Sequence, residues 1–311
     1  TLAAQAGLAI GVSGGLSVDA HLQTSDAAIY AAGDMIEVEQ RVSGRRVRMP
    51  LAGPANRQGR IAASNALGVP LSYRGALGTS AVKIFDATAA MTGLSERVAC
   101  DAGFDVGVAI VHAGNHAGYY PGARALTLKL VYDRADGRLL GAQAYGHEGV
   151  EKRVDVLAMA LNGRMTVHDL AEVDLAYAPP FSSANDPVNV VAFVAGNDLT
   201  GFSPLITAAQ LRTLLQGPHP PAVIDVRTPE EFAEGHLDGA HNIPVDALRD
   251  RMPSLGSEFP PSQPLVVHCK SGFRGHLASR MLRQEGWRDV VNVTGGWLSM
   301  QLDGGFTASI A

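Results

Sequence analysis

The chain has 311 residues, 46% of them hydrophobic and 18% charged, with a net charge of −5; that is enough sequence for two globular domains, each with its own core. The acidic balance, with no basic block beyond "RRVR" at 45–48, argues against nucleic acid as a partner. No apolar stretch reaches the ~18 residues of a membrane span, and the opening "TLAAQAGLAI" lacks the basic start and cleavage pattern of a signal peptide, so the expectation is a protein of the cytoplasm with no membrane partner.

In chain order, residues 1–76 carry a hairpin pattern around "GLSVDAHLQTSDAAIYAAGD" and a helix from about 54 to 66. They hold too little periodic apolar sequence for a core of their own, and read as the end of a domain that begins elsewhere. The "RRVR" run reads as a solvated loop. Residues 77–197 read as α+β: "SAVKIF", "DVGVAIVH", "ALTLKLVYD" and "RLLGAQAYG" are strands, the last two joined by the "DRADGR" turn, and helices follow at 150–161 and 186–195. Cys100 falls in a short helix, "SERVACDAGF", as a small core residue. A boundary is expected between 197 and 203. Residues 203–311 then alternate: a helix with Leu211, Leu214 and Leu215, a strand "AVIDV", a capped helix "TPEEFAEG", a strand "LVVHC", a helix over 274–285, a strand "VVNV" and a last helix opened by "GGW". Strands separated by helices predict right-handed crossovers and a parallel sheet with helices on both faces, an α/β domain.

The chemistry concentrates in "VVHCKSGFRG". A lone cysteine is often only a small buried residue. Here, however, a strand stops at Cys269, the following glycines let the loop curl with its amides inward, a helix starts near Arg274, and Lys270 and Arg274 add positive charge. Such a pocket can hold a thiolate, a persulfide or an oxyanion such as thiosulfate. The two cysteines, Cys100 and Cys269, have no disulfide-framework or metal spacing, and His236, His241 and His268 have no metal-ligand partners at suitable distance in sequence, so no metal is expected. Upstream, a strand ending at Gly33 and Asp34 could set a carboxylate on a ribitol or ribose hydroxyl, with the helix from Ala52 aiming its dipole at an electron-rich group such as a reduced flavin ring; a plain turn is the alternative. No G-x-G-x-x-G occurs anywhere, so neither dinucleotide phosphate loop is present.

The order "VIDVRTPEEFAEGHLDGAHNIP", "VVHCKSGFRG", "VNVTGGW" resembles a rhodanese-type sulfurtransferase domain over 203–311. The resemblance implies that Cys269 takes up sulfane sulfur as a persulfide and passes it to a nucleophilic acceptor. Lys270, Ser271, Gly272, Phe273 and Arg274 would form its cradle, and Asp225, which ends the first strand with Arg227, would brace Arg274; a sheet-edge ion pair is the alternative reading of Asp225. Related phosphatase domains use a longer loop after the cysteine, which favours sulfur over phosphate transfer here. "TSDAAIYAAGD" with "PLAGPANRQGR" resembles the second FAD-contacting segment of flavin-dependent pyridine nucleotide-disulfide oxidoreductases, and 77–197 resembles their dimerisation domain. "HAGYYPGA" with "LAYAPPFSSANDPVN" narrows the resemblance to the coenzyme A-disulfide or persulfide reductase and NADH oxidase branch. It implies Thr24, Gly33, Asp34, Ala52 and Tyr177 near the cofactor, and Tyr119 and Tyr177 reaching the partner subunit's active site to donate a proton or orient substrate. Asn56 and Asn185 stand where the family often carries His and Lys, which weakens contact with coenzyme A phosphates. The family's redox cysteine is absent from these residues, and Cys100 cannot replace it.

The expectation is therefore the C-terminal part of an FAD- and NAD(P)H-dependent coenzyme A-disulfide or persulfide (polysulfide) reductase fused to a rhodanese domain. Such a piece would form a homodimer, retain no cofactor by itself, and act on coenzyme A disulfide or persulfide, polysulfide or thiosulfate. The alternative is a non-catalytic dimerisation and sulfur-carrier or docking protein.

Overall fold

The alternating strand "ALTLKLVYD" sets the first layer. Over Ala125–Asp133 it turns Leu126, Leu128, Leu130 and Tyr132 inward, as a two-residue period requires. In the computed structural model, which describes residues 2–306 and 308–309, this strand lies in a five-stranded antiparallel sheet. The order is Ser80–Ile84, Ala87–Gly93, Leu139–Gly146, Ala125–Asp133, Val106–Gly114. Residues 1, 307, 310 and 311 of the expected segments lie outside the described residues.

The helices Val150–Asn162 and Pro187–Leu199 bury Val154, Leu157, Val188, Val191 and Ala195 in the same core as those strands. Each large aliphatic side chain so buried contributes about 1.5–3 kcal/mol. Asp186 caps the second helix by accepting the Val188 N–H, with Pro187 in the first turn.

One strand of this sheet, Ala87–Gly93, carried no sequence signal. It pairs with Ser80–Ile84 across a two-residue turn at Phe85 and Asp86, where Phe85 has a φ of 54°. Such turns are normally announced by Asn-Gly or Asp-Gly. Cys100 corrects another expectation: in the helix Glu96–Asp101 it is exposed, and Ala99 takes the fully buried position.

The second sheet has five parallel strands in the order His241–Asn242, Ala222–Asp225, Leu265–His268, Val290–Val293, Leu205–Ile206. Alternate residues of Leu265–His268 serve two cores. Leu265 and Val267 pack with Leu248 and Leu255 of the helix Val245–Glu258 and with Ala278 and Leu282 of Phe273–Gln284. Val266 packs with Leu211 of Ala208–Leu215 and with Trp297 and Met300 of Gly296–Asp303. Both faces are covered, as parallel sheets require. The helix Val245–Glu258 was not expected because it contains Pro253, which ordinarily ends a helix.

The first segment is the least regular. The pattern read as a hairpin forms only isolated bridges, such as Gln23 with Tyr30. A small apolar cluster of Leu16, Val18, Leu22, Ala31, Ile36 and Val38 packs with Ile61 and Ala62 of the helix Ala52–Ala66. The "RRVR" run is not a solvated loop: Arg46–Arg48 is a strand paired antiparallel with Glu37–Glu39. Arg46 pairs with the buried Glu37 carboxylate at 3.5 Å and donates to the Val18 carbonyl at 2.8 Å.

Candidate functional site

The strand Leu265–His268 delivers Cys269 to the carboxyl edge of the parallel sheet, where open α/β sheets place their ligands. The thiol is buried, and its Sγ accepts the Gly272 N–H at 3.2 Å. Gly272, at φ 112°, opens the helix Phe273–Gln284. From the other side, the start of Gly296–Asp303 grips the same loop: the Trp297 N–H donates to the Cys269 carbonyl at 2.7 Å and the Leu298 N–H to that of Lys270 at 3.0 Å. This approach needs the glycine pair read as "GGW". Gly296 has a φ of 57°, and a Cβ there would sit 2.3 Å from the Cys269 carbonyl oxygen. Ser271 and Gly272 are half-buried, whereas Lys270 and Phe273 are exposed.

The brace on Arg274 differs from the expectation. Asp225 does not hold it. Asp225 is buried with Arg227, which it meets at 2.6 to 3.0 Å through several N–H groups. Arg274 is held instead by both oxygens of Glu231, at 2.6 and 2.9 Å. Asp225 acts at one remove, because Arg227 also donates to the Glu231 carbonyl at 3.0 Å. Asp225 sits on a strand end pointing into the core, while Glu231 lies on the next turn and reaches outward. The hydrogen bond from Arg274 is the leading reason that the Glu231 carboxyl is lowered from 4.5 to about 2. Glu231 first, and the Cys269 sulfur after it, hold the Arg274 guanidinium above its ordinary value.

Two further supports escaped the sequence reading. Glu231 was visible only as the closing residue of the Thr228 capping box. Asn292, on the neighbouring strand, donates to the Gly272 carbonyl at 3.0 Å. His268 is fully buried, and that burial is the first reason its ring titrates below the ordinary value, with Asp225 3.7 Å away. Among the described residues, no three His, Cys, Asp or Glu side chains converge on a metal position.

A second constellation forms on the antiparallel half. The Tyr119 and Tyr177 hydroxyls, 58 residues apart in sequence, lie 3.1 Å from each other, and both rings are exposed. The hydrogen bond with Tyr119 is the first reason that the Tyr177 phenol titrates above its usual value. The two loops are clamped by Arg153, an unforeseen residue that is only 1% exposed. Its guanidinium donates to the Asn115 carbonyl at 2.8 Å, to that of Phe181 at 3.5 Å, and to Asp186 at 2.9 Å. Burial pushes the Asp186 carboxyl up, but hydrogen bonds from Ser182, Val188 and Arg153 outweigh it and hold the group below its ordinary value. The sequence signal was an arginine on the apolar stripe of Val150, Val154 and Leu157. Asn185, beside the clamp, is exposed.

In the first segment the strand expected to end at Gly33 is replaced by a short 3₁₀ turn, Gly33–Met35. The Gly33 N–H donates to Gln58 of the helix Ala52–Ala66 at 2.8 Å, so Asp34, which is exposed, and this helix are held together. Leu51 offers the helix no side-chain cap, and Ala52 is exposed. Asn56 turns its amide back onto the Ala52 carbonyl at 2.9 Å, and Thr24 bonds locally with Asp26.

Comparison with known proteins follows this division. Residues 79–187 match the dimerisation domain of pyridine nucleotide-disulphide oxidoreductases, and residues 207–303 match the rhodanese-like domain. The structure of reduced Bacillus anthracis CoADR-RHD is similar over 99% of this chain, at 42% identity and a TM-score of 0.91. An NAD-dependent persulfide reductase from A. fulgidus is similar over 95%, at 38% identity and a TM-score of 0.82. A CoA-dependent NAD(P)H sulfur oxidoreductase from Pyrococcus abyssi is 42% identical over 62% of this chain, and a coenzyme A disulfide reductase from Staphylococcus aureus is 38% identical over 58%. The chain spans only part of each: 54% and 52% of the two structures, and 43% and 41% of the two curated relatives. The chain thus joins a pyridine nucleotide-disulphide oxidoreductase dimerisation domain to a rhodanese-like domain, and the two solved structures match it across both.

Proposed function

We propose that Cys269 is a sulfane-sulfur carrier, and that the chain is the C-terminal part of a coenzyme A-disulfide or persulfide reductase that uses it. The observation that carries this reading is the buried Sγ under the Gly272 N–H, in a loop whose Arg274 is fixed by Glu231. The Cys269 thiolate attacks the outer sulfur of thiosulfate or of a persulfide. A new S–S bond forms, the donor's S–S bond breaks, and sulfite or a thiolate leaves with the electron pair. The loop amides and Arg274 bind the resulting persulfide anion. An acceptor such as cyanide or a thiolate then attacks the terminal sulfur and returns Cys269 to its starting state.

In the whole enzyme the other half handles the disulfide. Tyr119 and Tyr177, two phenols sharing a hydrogen bond, would orient substrate and protonate a departing thiolate, with Asn56 and Asn185 near its polar end. The residues present fit one end of a flavin. Asp34 stands exposed beside an uncapped helix start, so Thr24, Gly33, Asp34 and Ala52 would hold FAD, with Tyr177 beside it. Bound FAD would supply electrons drawn from NAD(P)H. The exposed apolar side chains Val82, Ile84 and Tyr145 on the antiparallel sheet, with Phe85 in its hairpin turn, support a homodimer built by 77–197, between a flavin-domain segment over 1–76 and the sulfur-carrying unit over 203–311. Two unpaired cysteines suit a reducing cytoplasm. No helix among the described residues is long and apolar enough to cross a membrane.

Intact mass spectrometry after incubation with thiosulfate tests this reading. The wild-type chain should gain one sulfur atom, located at Cys269 and removed by cyanide, and Cys269→Ser should gain none. A chain that takes up no sulfur from thiosulfate, polysulfide or a persulfide overturns it.

A further inference from the structure

The two halves of the Cys269 loop are held differently. The first half hangs on backbone, since the Cys269 and Lys270 carbonyls accept the Trp297 and Leu298 N–H groups. The second half turns on Gly272, whose φ of 112° suits glycine alone. Its carbonyl takes the first bond of the helix Phe273–Gln284, from the His276 N–H at 2.9 Å. It takes a second from the Asn292 Nδ2 at 3.0 Å. Among the described residues, Asn292 is the one hydrogen-bond partner of Gly272 from outside the loop and its helix.

Packing does not require an amide at this place. Asn292 is 3% exposed on Val290–Val293, in register with Val267 of the strand that leads to Cys269. Its Oδ1 is buried without a hydrogen-bond partner, against Gly275, where a Cβ would lie 2.2 Å from it. An unpaired buried oxygen destabilises a fold, and an apolar side chain of the same shape removes that penalty. What an apolar side chain cannot do is donate to Gly272. The amide is therefore half used, and the used half points at the loop.

We propose that Asn292 is a positioning residue for sulfur transfer, which tethers Gly272 so that the Gly272 N–H stays on the Cys269 sulfur. This role rests on Cys269 being the sulfur carrier. Asn292 acts through Gly272 and not on the sulfur itself. Of the two peptide groups that flank the Gly272 Cα, one carries the carbonyl that Asn292 binds, and the other carries the N–H that meets the sulfur at 3.2 Å. Without the tether a glycine turns readily about both bonds, and the N–H leaves the sulfur. Gly275 belongs to the same arrangement, because a side chain there would displace the amide.

Two variants of the full chain test this role. Asn292→Leu keeps the volume and removes the donor, whereas Gly275→Ala keeps the asparagine and sets a methyl group against its Oδ1, in a helix that otherwise favours alanine. Amide hydrogen exchange followed by NMR should quicken at least about fivefold at Gly272 in each variant, as for loss of one hydrogen bond, and stay unchanged along Leu265–His268. Asn292→Leu should resist urea at least as well as wild type, having lost an unpaired oxygen along with the bond. Single-turnover sulfur uptake from saturating thiosulfate should slow about fivefold in both, with the half-saturating concentration unchanged, because Asn292 does not hold the donor. Gly275→Ala decides the matter if Asn292→Leu does not fold. Wild-type exchange at Gly272 in a folded variant overturns the proposal. So does exchange that quickens equally along Leu265–His268 with a fall in urea resistance, which makes Asn292 a packing residue only. The exchange measurement involves no sulfur, so the two readings fail separately: a wild type that takes up no sulfur refutes the carrier, and variants that take it up at the wild-type rate refute the tether alone.

Discussion

The two functional regions of this chain are held by opposite means. Around Cys269 the grip is backbone: the N–H groups of Gly272, Trp297 and Leu298 hold the sulfur and two carbonyls, and glycines give the room for it. Charge enters only at the rim, where Arg274 and Glu231 are each about a quarter exposed. Around Tyr119 and Tyr177 the grip is a buried ion pair, Arg153 with Asp186, 1% and 3% exposed, while the phenols lie at the surface. A site built on backbone contact is sensitive to shape. A clamp built on a buried ion pair is sensitive to charge.

That contrast orders the expected effects. Arg153→Met should be the most damaging, because it leaves the buried Asp186 with only the longer contact to Lys152 at 3.8 Å for a counter-ion, at a cost of about 3 kcal/mol. Urea unfolding measures it, and a loss below ~1 kcal/mol would remove the distinction. Gly296→Ala adds a single methyl at a left-handed position against the Cys269 carbonyl and should cost about 2–4 kcal/mol while abolishing sulfur uptake. Unaltered uptake in a folded Gly296→Ala protein would show that the loop is not shape-limited.

Glu231→Gln comes next. It keeps the shape but frees Arg274, and thiosulfate:cyanide transfer should fall by about tenfold, as for loss of one charge-assisted hydrogen bond. It also has a pH signature. The folded-state carboxyl is lowered from 4.5 to about 2, so its contribution to stability is fully present above the unfolded value and lost as pH falls through the folded one. The melting-temperature gap between wild type and variant should be constant near neutrality, narrow below pH 4.5, and vanish near pH 2. A gap that widens with acid contradicts the pairing. Smallest is Tyr119→Phe, on an exposed ring: stability should change by no more than about 0.5 kcal/mol. Ultraviolet titration should nevertheless show Tyr177 ionising at lower pH once its partner hydroxyl is gone.

The same contrast explains how much was legible in the sequence. The parallel sheet and the Cys269 loop were readable because their signals are local: apolar runs, capping residues, and glycines set where a strand becomes a helix. Which carboxylate meets Arg274 was not, since Asp225 and Glu231 lie close to each other in sequence, Glu231 43 residues before Arg274, and only the direction of the strand end separates them. The helix Val245–Glu258 was hidden by Pro253, the strand Ala87–Gly93 by a turn built on Phe85, and the exposure of Cys100 by a helix so short that Ala99 fills its buried position. Arg153 is a charge whose partners Asn115, Phe181, Ser182 and Asp186 lie 28 to 38 residues away, and the contact of Ile110 with Thr294 joins residues 184 apart. Periodicity carries no information about such pairs.

The central claim is that the sulfur-carrying site is complete around Cys269 and independent of the tyrosine pair. Steady-state thiosulfate:cyanide transfer by three proteins tests it most directly: wild type, Cys269→Ser, and the double variant Tyr119→Phe with Tyr177→Phe. Wild type and the tyrosine double variant should transfer sulfur at the same rate, and Cys269→Ser should fall to the uncatalysed background. Wild-type transfer by Cys269→Ser, or its loss in the tyrosine double variant, would contradict the account.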